Sequence, residues 1–207
     1  MKKLVFAALV SIAGLLGWLS VAPFVDRQVI QAALPPLPPG ILAPQEPVQM
    51  TLKPPLMFEK DGYRLTALAT YDITARLLAR QSYRWDREAE LSPFDFALGW
   101  NYMSDSSVLD RIEISQSTRF YWWRTEDPAI DLARAARDSA NVHLIPASRA
   151  VRRQLDRLPV GSLIHLRGYL VRVEGADGWQ WQSSMTRDDT GRGACELIWV
   201  TSVERVK

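Results

Sequence analysis

The sequence predicts an α+β fold: a curved antiparallel sheet with several short helices, behind one apolar N-terminal segment. Three observations carry this. Runs rich in β-branched and aromatic residues alternate with turn dipeptides, above all in the C-terminal third. Short alanine- and arginine-rich stretches with serine or aspartate caps interrupt them. A basic pair, Lys2 and Lys3, precedes the uncharged stretch Leu4–Val25.

That opening stretch exceeds the roughly 20 residues that cross a bilayer as a helix, and the roughly 7–15 of a signal-peptide core. A small-x-small cleavage site at Ser20-Val21-Ala22 would be followed by Pro23, and no cysteine is near for lipidation. Residues 1–27 therefore read as an uncleaved anchor crossing the inner membrane with residues 4–25; a cleaved signal is the alternative. Basic residues stay on the cytoplasmic side, which places the rest of the chain in the periplasm. Residues 28–50 form a proline-rich tether, since Leu34–Val48 holds six of the thirteen prolines. Such a run favours extended polyproline II and reads as a spacer, able also to strap onto the domain. Residues 51–207 make one domain.

Within that domain, Asp61-Gly62 joins two strands as a hairpin. "ITARLLARQSYRW" is compatible with helix or strand. "LSPFDFALGW" reads as a helix start, with Ser92 as N-cap, Pro93 first and Asp95 as the capping-box acid. "MSDSSVLDRIEI" repeats that logic with Ser104 or Asp105. Ile112 to Trp123 reads as one strand, and "DPAIDLARAARDSAN" as a helix to Asp138. "SRAVRRQLDRLPVG" gives a helix capped by Ser148 and stopped before Pro159, with Arg149, Arg152, Arg153 and Arg157 outside and Val151, Leu155 and Leu158 inside.

"GSLIHLRGYLVRV" alternates Ile164, Leu166 and Leu170 against His165, Arg167 and Tyr169, with Gly168 marking a bulge or bend. "GWQWQSSM" puts Trp179, Trp181 and Ser183 on one face. "RDDTGRG" is a turn, and "ACELIWVTSVERV" a closing strand. A long bent strand, a hairpin and a closing strand resemble in rhythm a small barrel of the oligonucleotide/oligosaccharide-binding (OB) type, so the sheet is expected to be partly barrel-like.

The chemistry-bearing residues are few. Net charge is +2, which gives no reason to expect a nucleic acid partner, although 20 arginines stand against 5 lysines. Cys195 is the only cysteine, so no internal disulfide forms. Two histidines and one cysteine without ligand spacing argue against a metal site, and no phosphate loop or dinucleotide fingerprint calls for a cofactor. Two hypotheses survive. In the preferred one the domain is a non-enzymatic binding or assembly module for an envelope polymer or protein. Trp179 and Trp181 stack on the ligand, Arg167 or Arg187 holds an anionic group, and His143 lines a loop mouth. In the alternative, Cys195 and His143 pair as nucleophile and base of a hydrolase or transferase, oriented by Asn141 or Glu196. The structural reading of the same residues is a buried thiol in a strand and a histidine bonding the carbonyls of a helix end.

"LSPFDFALGWNYMSD", "RIEISQSTRFYWW", "SANVHLIPA" and "SSMTRDDTGRGACELIWV" together resemble a group of bacterial membrane-anchored proteins, over about residues 58 to 200. The resemblance implies one compact domain behind one anchor. It brings no activity, cofactor or catalytic residue with it.

Overall fold

The computed structural model describes residues 38–186 and 194–206. The chain divides into Met1–Ala33 and Leu34–Lys207, and the described residues all belong to the second unit. The anchor at 4–25 and Arg187 therefore lie outside them. Among the described residues no helix is long and apolar enough to cross a membrane.

Among the described residues nine strands and four short α-helices follow in order: β1 (Val48–Lys60), β2 (Tyr63–Ser82), α1 (Arg87–Leu91), β3 (Phe94–Gly99), α2 (Ser106–Leu109), β4 (Glu113–Ser117), β5 (Phe120–Arg124), α3 (Leu132–Arg137), β6 (Ser139–Pro146), α4 (Arg149–Arg157), β7 (Leu163–Glu174), β8 (Gln180–Gln182) and β9 (Glu196–Arg205). Seven strands form one sheet in the order β1-β2-β3-β6-β9-β7-β8, and β2 also pairs with β7. The pairings β2–β3–β6–β9–β7–β2 thus close a ring. All are antiparallel except β6–β9.

Closure depends on the 20-residue strand β2, which bonds β1, β3 and β7 along its length. Its inward-pointing residues Tyr71, Ile73, Ala75 and Leu77 meet Phe96 and Leu98, Val142 and Leu144, Leu166 and Leu170, and Ile198 and Val200 in one buried cluster. Helix α4 adds Val151, Leu155 and Leu158 to this cluster, with its arginines turned to solvent as the spacing predicts. The Asp61-Gly62 turn takes positive φ at both residues. At Gly168 the β7–β9 register shifts, and an added Cβ would collide with the carbonyl of Trp199. The bulge is a requirement of the ring.

Two expectations need correction. Ser92 to Trp100 does not begin a helix: Ser92 caps the end of α1, and Phe94–Gly99 is a strand with every residue buried. Burial on both faces outweighs a capping signature worth about 1 kcal/mol. Ile112 to Trp123 is not one strand but the hairpin β4–β5, turned at Thr118 and Arg119, both at positive φ without glycine. The helix expected to end near Asp138 is Leu132–Arg137, with Asp131 as its N-cap and Asp138 as its C-cap. The end of the expected tether takes the strapped form. The amides of Leu42 and Ala43 both donate to Ser104 Oγ at 3.0 Å, Gly40 N–H donates to Asp105 Oδ1 at 3.0 Å, and Ala43 joins the core.

Candidate functional site

The inward faces of β3 and β6 fill the ring, so their alternate residues must face outward, where two further apolar clusters and the hairpin β4–β5 cover them. Between those clusters lies a polar centre. Register places Asp95 opposite His143, and Ala97 opposite Asn141. Asp95 is fully buried and His143 nearly so. Asp95 Oδ1 lies 2.9 Å from His143 Nδ1. The contact is an ion pair whose angle falls short of a hydrogen bond, and Nδ1 has no hydrogen-bond partner. The half-buried thiol of Cys195, one residue ahead of β9, lies alongside the Asn141–His143 stretch of β6, since Val142 is in register with Glu196. Asn141 Nδ2 donates to its Sγ at 3.7 Å.

Arg119 completes the centre from the tip of β4–β5. Its Nη1 donates to Asp95 Oδ1 at 2.9 Å and its Nη2 to Asp86 Oδ1 at 2.6 Å, so one guanidinium joins two carboxylates. Its backbone N–H donates to the Tyr83 hydroxyl at 2.9 Å, and its guanidinium stacks 3.9 Å from the Tyr83 ring centre. The left-handed turn at Arg119 makes this reach possible. Burial alone would disfavour a charged imidazole. The Asp95 carboxylate and the Cys195 thiol outweigh it and push the His143 pKa up to about 9.

Two indoles wall the centre. Trp181, opposite Val173 on the short strand β8, packs its ring 5.0 Å from that of His143 and 6.1 Å from that of Trp179. Arg87 covers Trp179 at 4.6 Å while holding Asp177 through two bonds of 2.7 Å. Beside them the segment Ser82–Asp86 lines a cavity of about 360 Å³, and a second of about 230 Å³ runs from Ser82, Tyr83 and Arg84 to Phe94, Arg152 and Arg153. Trp85 is 97% exposed at this cleft.

No family model, curated protein or solved structure matches this chain.

The structure thus brings together His143, Cys195 and Trp181, with Trp179 behind. Arg167 lies elsewhere, exposed on β7, where its Nε donates to Asp72 Oδ2 at 2.9 Å beside His165. Arg119 and Arg87 occupy the place by the indoles that sequence reasoning gave to Arg167. His143 is not at a helix end but in the middle of β6. The acid beside it is Asp95, not Asn141 or Glu196: Asn141 is held by Gln116 and the Arg119 carbonyl, and Glu196 alternates away from Cys195, in register with Val142. Asp95 and Arg119 were missed because one imitates a capping acid and the other sits inside a run that reads as continuous strand. The available signal was the polar residue inside the apolar run "PFDFALG", since a buried carboxylate demands a cation.

Proposed function

We propose that this chain is a single-pass inner-membrane protein whose periplasmic domain is an OB-like binding module for an anionic envelope polymer. Three features of the ring support the OB-like reading. It has five strands, its one parallel pair joins the third and fifth, and α4 connects the third to the fourth. OB folds bind ligands on the face of strands 2 and 3, between the loop joining strands 1 and 2 and the loop joining strands 4 and 5. Here those correspond to β3 and β6, Tyr83–Pro93, and the described residues 175–186 that follow β7. The polar centre, both indoles and the cleft all fall on that surface.

The observation that carries an anionic ligand is the pairing of the arginines. Arg80, Arg87, Arg111, Arg119, Arg124 and Arg167 each face a carboxylate. Arg84, Arg152 and Arg153 have no ion pair among the described residues and line one cavity together with a single carboxylate, Asp156, while the exposed Trp85 lines the adjoining cavity that shares Ser82, Tyr83 and Arg84. Guanidinium groups left free at a concave, aromatic-lined surface suit carboxylate or phosphate. The test titrates the full chain in detergent with polygalacturonate, with neutral dextran as control. Binding should weaken with salt and fall at least tenfold in Arg152→Gln/Arg153→Gln, and Trp85→Phe should remove the fluorescence change. Equal affinity for both glycans overturns the reading. A C-terminal alkaline phosphatase fusion that is inactive in cells overturns the periplasmic placement.

A further inference from the structure

A polar centre built only to hold the sheet together would pair all its atoms. This one does not. Among the described residues Asp95 Oδ2 and Arg119 Nε are buried without a hydrogen-bond partner, and His143 Nδ1 has only its 2.9 Å ion-pair contact with Asp95 Oδ1. Asp95 and His143 are both more than nine-tenths buried, and the thiol they lead to is the least buried of the three. The order is carboxylate, imidazole, thiol, from inside to outside. With Nδ1 committed to Asp95, Nε2 is the ring nitrogen left for sulfur. Arg119 Nη1 donates to the same Asp95 Oδ1 and to the Ser92 carbonyl, so Asp95 has little freedom to leave the ring.

We propose that Cys195 is a nucleophile for acyl transfer, with His143 as its acid and base and Asp95 as the residue that positions the imidazole. This activity goes beyond polymer binding and does not require it. An imidazolium beside a thiol stabilises the thiolate, which is the attacking form. The sulfur adds to the carbonyl carbon of an activated ester, forming a C–S bond. As the C–O bond to the leaving group breaks, the His143 proton passes to the departing oxygen and an alcohol is released. Neutral His143 then takes a proton from water as that water attacks the thioester carbon. The C–S bond breaks, the electron pair returns to sulfur, and a carboxylic acid leaves. Ester and water become acid and alcohol, and no other reactant is consumed. The groups facing the ring are Asp95, Cys195, Trp181 and, through Asp95, Arg119. Trp181, its ring 5.0 Å from the imidazole, gives the acyl group an apolar wall.

The test exposes the folded full chain to p-nitrophenyl acetate and reads both released nitrophenol and intact mass. The expected result is turnover with one acetyl group trapped on Cys195. Cys195→Ala, whose melting curve should match the native one, should lose both signals. His143→Gln should acylate at least tenfold more slowly. Asp95→Glu should retain more of the rate than Asp95→Asn, and the Asn variant should show an altered pH profile. Where the His143 or Asp95 variants do not fold, native-state alkylation decides. Iodoacetamide should modify Cys195 in the folded chain. A thiol that resists iodoacetamide until the protein unfolds, or acetylation that persists in Cys195→Ala, overturns the proposal. Glycan binding unchanged by Cys195→Ala leaves the binding reading standing by itself.

Discussion

Replacing Asp95 by asparagine removes the one carboxylate that faces both His143 Nδ1 and Arg119 Nη1, each at 2.9 Å. The site is fully buried, so solvent cannot take over the role of the lost charge. Breaking a buried pair from one side costs about 3–5 kcal/mol, because the remaining cation is left uncompensated. Part of that cost carries a pH signature. The His143 pKa stands at about 9 in the folded chain against 6.5 ordinarily. The folded state therefore holds the proton more tightly, by up to about 3 kcal/mol. This contribution is complete below pH 6.5 and is lost as pH rises through 9. Urea unfolding followed by tryptophan fluorescence should show native stability falling across that interval. In Asp95→Asn burial is opposed by Cys195 alone, so the curve should start lower and lose most of that decline. A loss below about 1 kcal/mol at neutral pH, or an unchanged pH slope in the variant, would refute the reasoning.

Two further substitutions test the frame around the site. Gly168→Ala drives a methyl group into the Trp199 carbonyl where the β7–β9 register shifts. The ring cannot yield without moving backbone, so the thermal midpoint should fall by an amount equivalent to about 1–3 kcal/mol. Ser104→Ala removes the oxygen that accepts from both Leu42 and Ala43. Hydrogen exchange at those two amides should accelerate by at least tenfold, while the β6 amides keep their protection.

The sheet was legible from sequence wherever one alternation served one buried face. The bulged strand around Gly168 and the closing strand Glu196–Arg205 show this, as does the Asp61-Gly62 hairpin. It was illegible where both faces are covered. Phe94–Gly99 has no alternation to read, because the ring buries Phe96 and Leu98 from within while the outer layers bury Asp95 and Ala97. Its serine, proline and aspartate then spelled a helix start. The hairpin tip failed for another reason: Thr118 and Arg119 adopt a turn usually left to glycine or asparagine. Of the site, His143 and Cys195 were visible as rare residue types and Trp181 by strand alternation. Asp95 and Arg119 became visible only when pairing brought β3 and the β4–β5 tip to the same histidine.

The placement of β9 between β6 and β7 bears on when the molecule becomes competent. Until that segment is made, β6 and β7 each expose an unpaired edge, although β2 and β7, which pair across the longest sequence separation, are already present. Cys195 arrives with the same stretch. A nascent chain halted before it would carry the histidine and the carboxylate but neither the thiol nor a closed barrel. Folding and acquisition of the reactive sulfur are a single late event.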